Sequence, residues 1–304
     1  MTELIREIEQ ADIPKIAELM TRVFGDGDYR QISRLGGMTN HSYRVIRNNG
    51  KEYLFRLPGE GTEKLIDRRD ERKSTELACS LGIDSELLYF DDDGCKVMTF
   101  IKDPQPMDEA VMRREENIIQ AANIFNKLHN CGVDTGVRFE VFEMARLYEE
   151  LIREENVALY SDYEEIKNTV MEIKAEVDKN GAPQKVPCHN DSLIGNWVLD
   201  RDGRLYLIDW EYSGMNEAMW DLSCLSIEID HSPEEDRLLL ETYFGREPDV
   251  SEKKHFIAAK VYVDYLWTLW GLTRVPFDGK FMQDYADERY ERLKGNIDKY
   301  RELV

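Results

Sequence analysis

The stretch 186–221, VPCHNDSLIGNWVLDRDGRLYLIDWEYSGMNEAMWD, constrains this chain more than any other. It sets His189, Asp191 and Asn196 in an H-x-D-x4-N unit. Two short apolar runs follow, 197–200 and 204–210, joined by Asp200-Arg201-Asp202-Gly203. Asp and Gly favour turns, so the spacing predicts a tight hairpin with Asp209 at the end of its second strand. A fold that accepts this stretch must place a polar loop, a ribbon and a second carboxylate within about twenty residues of one another.

Asp and Asn often serve only to bond nearby backbone in turns. The whole unit, followed by an apolar strand ending in Asp, is far more specific than an isolated H-x-D. It suits phosphoryl transfer, which asks the protein for positioning and charge neutralisation rather than covalent chemistry. One carboxylate orients the acceptor hydroxyl and takes its proton late. An amide oxygen and a second carboxylate hold magnesium against nucleotide phosphates. Asp191, Asn196 and Asp209 supply those groups in that order.

The remainder of the chain narrows the choice. At 304 residues it makes one large domain or two, and 42% hydrophobic residues are enough for a core. A formal net charge of −21 argues against nucleic acid as a partner. It fits a solvated acidic surface, with a weaker reading as a field that attracts a cationic substrate. No apolar run approaches the ~18 residues of a membrane span. The acidic N-terminus lacks a signal-peptide core, so a cytoplasmic location is the expectation. Cysteines 79, 95, 131, 188 and 224 are scattered without a C-x-x-C, as expected of free thiols in a reducing compartment.

Taken in order, Asp12 reads as an N-cap for a helix from Ile13, with Pro14 in its first turn and Gly25 closing it. Strands are expected at 29–35, 41–47 and 51–57, with Gly36-Gly37-Met38-Thr39-Asn40 as a turn whose bare amides can lie over phosphates. A charge-rich helix follows within 61–82, then a hairpin of 86–90 and 95–101. Its Asp91-Asp92-Asp93-Gly94 turn lacks the spacing of a calcium loop. Asp103-Pro104-Gln105-Pro106 marks a lobe boundary, and Asp108 caps a long helix carrying Val111, Ile118, Ala122, Phe125 and Leu128. His129 near its end reads as a packing group. Acidic amphipathic helices fill 139–179, and Ser232-Pro233-Glu234-Glu235 is a capping box. An apolar helix over 251–274 stops near Pro276, and a charged helix over 279–302 caps the large lobe.

The H-N-D-x4-N unit with its later I-D-W resembles the small-molecule branch of the protein-kinase-like superfamily, the aminoglycoside and choline kinases. Asp-Trp-Glu-Tyr at 209–212 is narrower and resembles the choline and ethanolamine kinases. The resemblance implies an α+β, two-lobed protein-kinase-like fold. Its N-lobe, 1–102, is a small antiparallel sheet with a helix, and its C-lobe, 103–304, is larger and mostly helical. The hinge falls at 98–102 and the active site in the cleft. Asp191 is then the catalytic base, Asn196 the second metal ligand and Asp209 the principal one, for Mg2+. Gly36, Gly37, Thr39, Asn40 and Ser42 belong to the nucleotide loop. Arg56 stands where protein kinases have lysine, and Glu71 is its expected acidic partner with Glu76 in reserve. Tyr212 and Glu228 belong to the alcohol pocket, Trp267 and Trp270 to an aromatic box, and Asp221 braces the catalytic loop. The implied reaction moves the ATP γ-phosphoryl group to choline. Ethanolamine, an aminoglycoside or a sugar is the alternative acceptor, and a non-catalytic nucleotide- or choline-binding protein is the alternative of another class.

Overall fold

Alternating residues along the early strands build a five-stranded antiparallel sheet in the computed structural model, which describes residues 9–35, 40–59, 66–180 and 182–303. Gly36, Gly37 and Thr39 lie outside the described residues. Helix α1 is Ile13–Phe24, and the strands are β1 Gln31–Arg34, β2 Asn40–Ile46, β3 Glu52–Pro58, β4 Leu87–Phe90 and β5 Lys96–Thr99, with α2, Arg68–Ser80, between β3 and β4. The sheet order is β1-β2-β3-β5-β4. Side chains alternate across a strand, so one face carries Tyr43, Phe55 and Val97, which pack on Ile16, Leu19 and Met20 of α1. The other face carries Ser42, Arg56 and Lys96 in register across three strands.

The structure divides into two units. The first takes in residues up to Met107 together with Gly195–Tyr212; the second is Asp108–Ile194 with Ser213–Val304. Within the first, β7, Trp197–Leu199, and β8, Leu205–Leu207, form the expected hairpin. Asp209 lies two residues past β8, at φ 68°, rather than at the strand's end. That left-handed backbone is uncommon for a residue with a side chain and redirects the chain at the carboxylate.

The second unit holds α3 Glu109–Met112, α4 Glu115–His129, α5 Val141–Glu154, α6 Tyr163–Val177, β6 Lys185–Cys188, β9 Gly214–Glu217, α7 Ala218–Glu228, α8 Pro233–Phe244, α9 Val250–Asp278 and α10 Lys280–Glu302. The Ser232 capping box forms as expected. Among the described residues no helix is long and apolar enough to cross a membrane.

Three local expectations are corrected. Asp12 does not cap α1; its carboxylate instead takes the Tyr43 hydroxyl at 2.5 Å and meets His41 Nδ1 at 2.6 Å, both stronger partners than a helix amide. The helix begun by Asp108 breaks after Met112, because Arg114 is extended and the Asn117 side chain donates to the Val111 carbonyl at 2.8 Å. Helix α9 runs through Pro276 to Asp278. A proline so near a helix end removes one backbone bond in the final turns, and Arg274 Nε–Asp278 at 2.9 Å spans the site.

Candidate active site

Arg56 is nearly sealed, its side chain 4% exposed, and a lone guanidinium cannot stay charged there without partners. Glu71 of α2 supplies the first, in a close ion pair with it. Glu76, the reserve, pairs with Arg72 instead. Glu71 also meets Arg68 Nη1 at 2.6 Å and Lys96 Nζ at 3.3 Å. Burial pushes the Glu71 carboxyl up, but Arg56 and Lys96 overcome this and hold it down at about 2. On its other side Arg56 Nη1 donates to Asp209 Oδ1 at 3.1 Å, with Glu211 Oε2 3.8 Å away. Burial and the Asp209 charge push the Glu211 carboxyl up against the pull of Arg56. Asn40 Nδ2 donates to Glu211 at 2.9 Å. Three cations thus face three carboxylates, and Arg56 Nε is buried without an acceptor among the described residues.

This cluster borders a cavity of about 230 Å3 that Leu54, Met98 and Ile208 line with apolar surface and Ser42, Arg56 and Asp209 with polar groups. An apolar chamber with charge at one end suits a purine ring and its phosphates. Asp84 borders it too. Burial pushes its carboxyl up to about 6, and Trp210 Nε1 donates to it at 3.1 Å, which fixes the indole beside Asp209. Asn196 ends a short 3-10 turn, Ile194–Asn196, and its carbonyl accepts the Ile208 amide at 2.9 Å. The Asn196 amide oxygen and the Asp209 carboxylate are hard oxygen donors, the kind magnesium takes, so the donor set fits that ion.

In the second unit, β6 pairs antiparallel with β9 and delivers the His189-Asn190-Asp191 loop. Asp221, fully buried on α7, accepts the backbone N–H of His189 at 2.8 Å and of Asn190 at 2.7 Å. His129 Nε2 meets the same carboxylate at 3.0 Å and its Nδ1 meets the Tyr243 hydroxyl at 3.0 Å. Asn190 has φ 69°, and the Trp220 indole donates to its carbonyl at 2.9 Å. The residue before Asp191 is therefore clamped from several sides, and Asp191 itself is half-buried. Asp221 is a brace, as expected, and the His129 packing group belongs to the same brace.

Trp267 and Trp270 of α9 meet edge to face at 5.9 Å, and Trp270 meets Tyr285 of α10 at 5.8 Å. The Arg289 guanidinium lies 4.5 Å over the Tyr285 ring and ion-pairs closely with Glu228. The Asp191 charge is felt at Tyr285: burial raises that phenol first, and Asp191 is among the acids that raise it further. Gly271 permits this arrangement, since a Cβ there would stand 2.8 Å from Tyr285 Cδ1. Trp267, Trp270 and Glu228 thus share a unit with Asp191, whereas Tyr212, half-buried, belongs to the first.

Sequence reasoning missed Lys96, Arg68 and Glu211 around Arg56, and Tyr285 and Arg289 beside the tryptophans. Strand register could have found Lys96, which sits opposite Arg56. The α10 residues carry no local signal.

Residues 31–268 match the choline/ethanolamine kinase family. This chain belongs to that family. It is 28% identical to Protein LicA of Haemophilus influenzae over 268 residues, covering 85% of this chain and 77% of that protein. Among solved structures, a choline/ethanolamine kinase family protein from Mesorhizobium loti superposes with a TM-score of 0.82 at 30% identity, covering 93% of this chain and 94% of that one. The choline kinase LicA from Streptococcus pneumoniae gives 0.80 at 31%, covering 94% and 99%. The α+β protein-kinase-like fold and a phosphotransferase acting on an alcohol follow from membership of the choline/ethanolamine kinase family.

Proposed function

We propose that this chain transfers the γ-phosphoryl group of ATP to the hydroxyl of choline, giving phosphocholine and ADP. The observation that carries the acceptor is the edge-to-face group Trp267–Trp270–Tyr285 in the unit that presents Asp191. Aromatic faces attract a quaternary ammonium through their quadrupole, worth about 2 kcal/mol when desolvated. Ethanolamine's ammonium has N–H donors that want acceptors. The Glu228 carboxylate is already committed to Arg289, which favours the trimethylated nitrogen.

Asp191 orients the hydroxyl and takes its proton as the oxygen attacks phosphorus. Its clamped backbone limits the positions it can adopt. Arg56, Ser42 and Asn40, with Gly36, Gly37 and Thr39, hold phosphates, and Glu71 fixes Arg56. Asn196 and Asp209 hold magnesium, which neutralises charge on the phosphates when bound. Tyr212 belongs to the alcohol pocket, and Glu211 adds a carboxylate beside Arg56. The unpaired cysteines suit a reducing compartment, and we place the reaction in the cytoplasm, where ATP is available.

Comparing kcat/KM for choline and ethanolamine tests the acceptor. Choline is expected to lead by at least about tenfold, the effect of ~1.4 kcal/mol. An equal or reversed ratio would make the protein an ethanolamine kinase, and nucleotide binding without turnover would make it a binding protein.

A further inference from the structure

Pairing of β6 with β9 leaves a cavity of about 220 Å3 at the end away from the catalytic loop, where Lys185 stands opposite Glu217. Lys185, Asn216, Trp220 and Tyr262 line it together with Glu140 and Phe142. It is smaller than the ~300–1,000 Å3 of drug-sized sites. Most of its charges are already matched: Lys174 pairs closely with Asp178, and Glu217 meets His255 Nε2 at 2.8 Å. Three polar groups are not. The Tyr262 hydroxyl is buried without a hydrogen-bond partner among the described residues, in a residue only 4% exposed. Lys185 Nζ has no carboxylate partner among the described residues and makes one long bond, 3.4 Å, to Asn216 Oδ1. Glu140, half-buried, has no cationic partner among the described residues. An orphaned phenol and a loosely held ammonium offer donors to an anionic group, and the carboxylate offers an acceptor to a cationic one.

Two wall residues of the cavity also bond the catalytic loop. Asn216, which receives the Lys185 bond through Oδ1, donates through Nδ2 to the Asn190 side chain at 2.9 Å. Trp220, another wall residue, donates to the Asn190 carbonyl at 2.9 Å. Asn190 immediately precedes Asp191. A ligand that drew Lys185 away from Asn216 would change what holds that loop.

We propose that this cavity is a second ligand site, for a small zwitterion joining a cationic nitrogen to a phosphate or carboxylate, and that its occupancy alters turnover through Asn216 and Asn190. Lys185 and Tyr262 take the anionic end and Glu140 the cationic end. Phosphocholine, the product of the proposed reaction, has this chemistry, so the inferred ligand rests on that reading, while the cavity and its orphaned groups do not.

The test uses phosphocholine and glycine betaine as phosphate and carboxylate probes on the whole chain, with Lys185→Met and Tyr262→Phe. Calorimetry measures binding and needs no turnover, so failure of the kinase reading leaves the site testable. At saturating choline, a bound probe is expected to lower kcat about fivefold or more, the low end of measured couplings. Tyr262→Phe is expected to keep basal turnover, whereas Lys185→Met, which also removes the bond to Asn216, is expected to turn over at the lower, occupied-site rate. Both are expected to lose the probe's inhibition, together with one calorimetric binding event. Lys185→Met is checked for folding by its melting curve, and Tyr262→Phe removes only the hydroxyl. Inhibition that is purely competitive with choline, inhibition retained in both variants, or no binding event lost from either would overturn the proposal. The probe that binds more tightly identifies the anionic end.

Discussion

The Arg56 cluster of the first unit and the Trp267–Trp270–Tyr285 group of the second handle charge in opposite ways. Around Arg56, buried groups of opposite sign are interlocked: Glu71 alone meets Arg56, Arg68 and Lys96. Removing one member strands the others, and breaking a buried pair costs about 3–5 kcal/mol. The aromatic group holds its contacts through ring edges and faces, and its neighbouring acid, Glu228, is balanced by Arg289. Losing one ring removes area and a quadrupole but leaves no stranded charge. The first arrangement suits a polyanion that must be met by fixed donors. The second suits a cation that offers none.

The sharpest break in that comparison comes from the group that belongs to neither. Asp191→Asn keeps the shape and removes the charge and the proton acceptor. Its kcat is expected to fall roughly 10²–10⁴-fold, the usual share of general-base catalysis. ADP affinity by calorimetry is expected to stay within about twofold of the parent, a change below ~0.5 kcal/mol. Parental kcat would remove Asp191 from the mechanism.

Glu71→Gln is expected next, with a loss of roughly 3–5 kcal/mol in denaturant unfolding and a raised ATP KM. Its pH dependence carries a sign. The folded Glu71 carboxyl sits at about 2, below its ordinary 4.5, so its stabilisation is present above pH 4.5 and fades as pH falls toward 2. The wild type should therefore lose on the order of 3 kcal/mol more than the variant across that window. Asp84, pushed up to about 6, runs the other way and costs stability as pH rises from about 4 to 6 in both proteins. Parallel curves for wild type and variant between pH 4.5 and 2 would contradict the ion-pair account.

Trp270→Ala is expected to raise the choline KM about thirtyfold, the equivalent of ~2 kcal/mol, while the ATP KM holds. Equal effects on both substrates would mean general packing. The smallest effect is expected from Gly271→Ala, whose methyl would press on Tyr285 at 2.8 Å. It should cost about 1–3 kcal/mol of stability and shift the choline KM in the same direction as Trp270→Ala. An unchanged Tm and KM would show that Tyr285 gives way freely.

Local pattern explains what was legible in the sequence. The β3 run YLFRL shows its strand because Phe55 and Arg56 point to opposite faces, and Glu71 was reachable because Ile66-Asp67-Arg68-x-x-Glu71 resembles the choline-kinase segment that supplies the acidic partner. The Asp200–Gly203 turn fixes the β7–β8 hairpin by its own chemistry. What failed depends on contacts distant in the chain. Asp12 reads as a cap until Tyr43 arrives 31 residues later to claim it. Arg114 breaks a helix for the sake of a bond between Asn117 and Val111. Tyr285 and Arg289 lie on a charged helix that reads from sequence as a cap on the large lobe. Only the close approach of α10 to Gly271 brings them to the tryptophans. Lys96 is ordinary in sequence and becomes a partner of Glu71 only through the β3–β5 register.

The most direct test follows the phosphorus. The protein is incubated with γ-labelled ATP, magnesium and choline, and the labelled product is identified by mass and by phosphorus resonance. Labelled phosphocholine, formed one for one with ADP, is the predicted result. Label recovered only as ATP or inorganic phosphate, with choline unchanged, would contradict it.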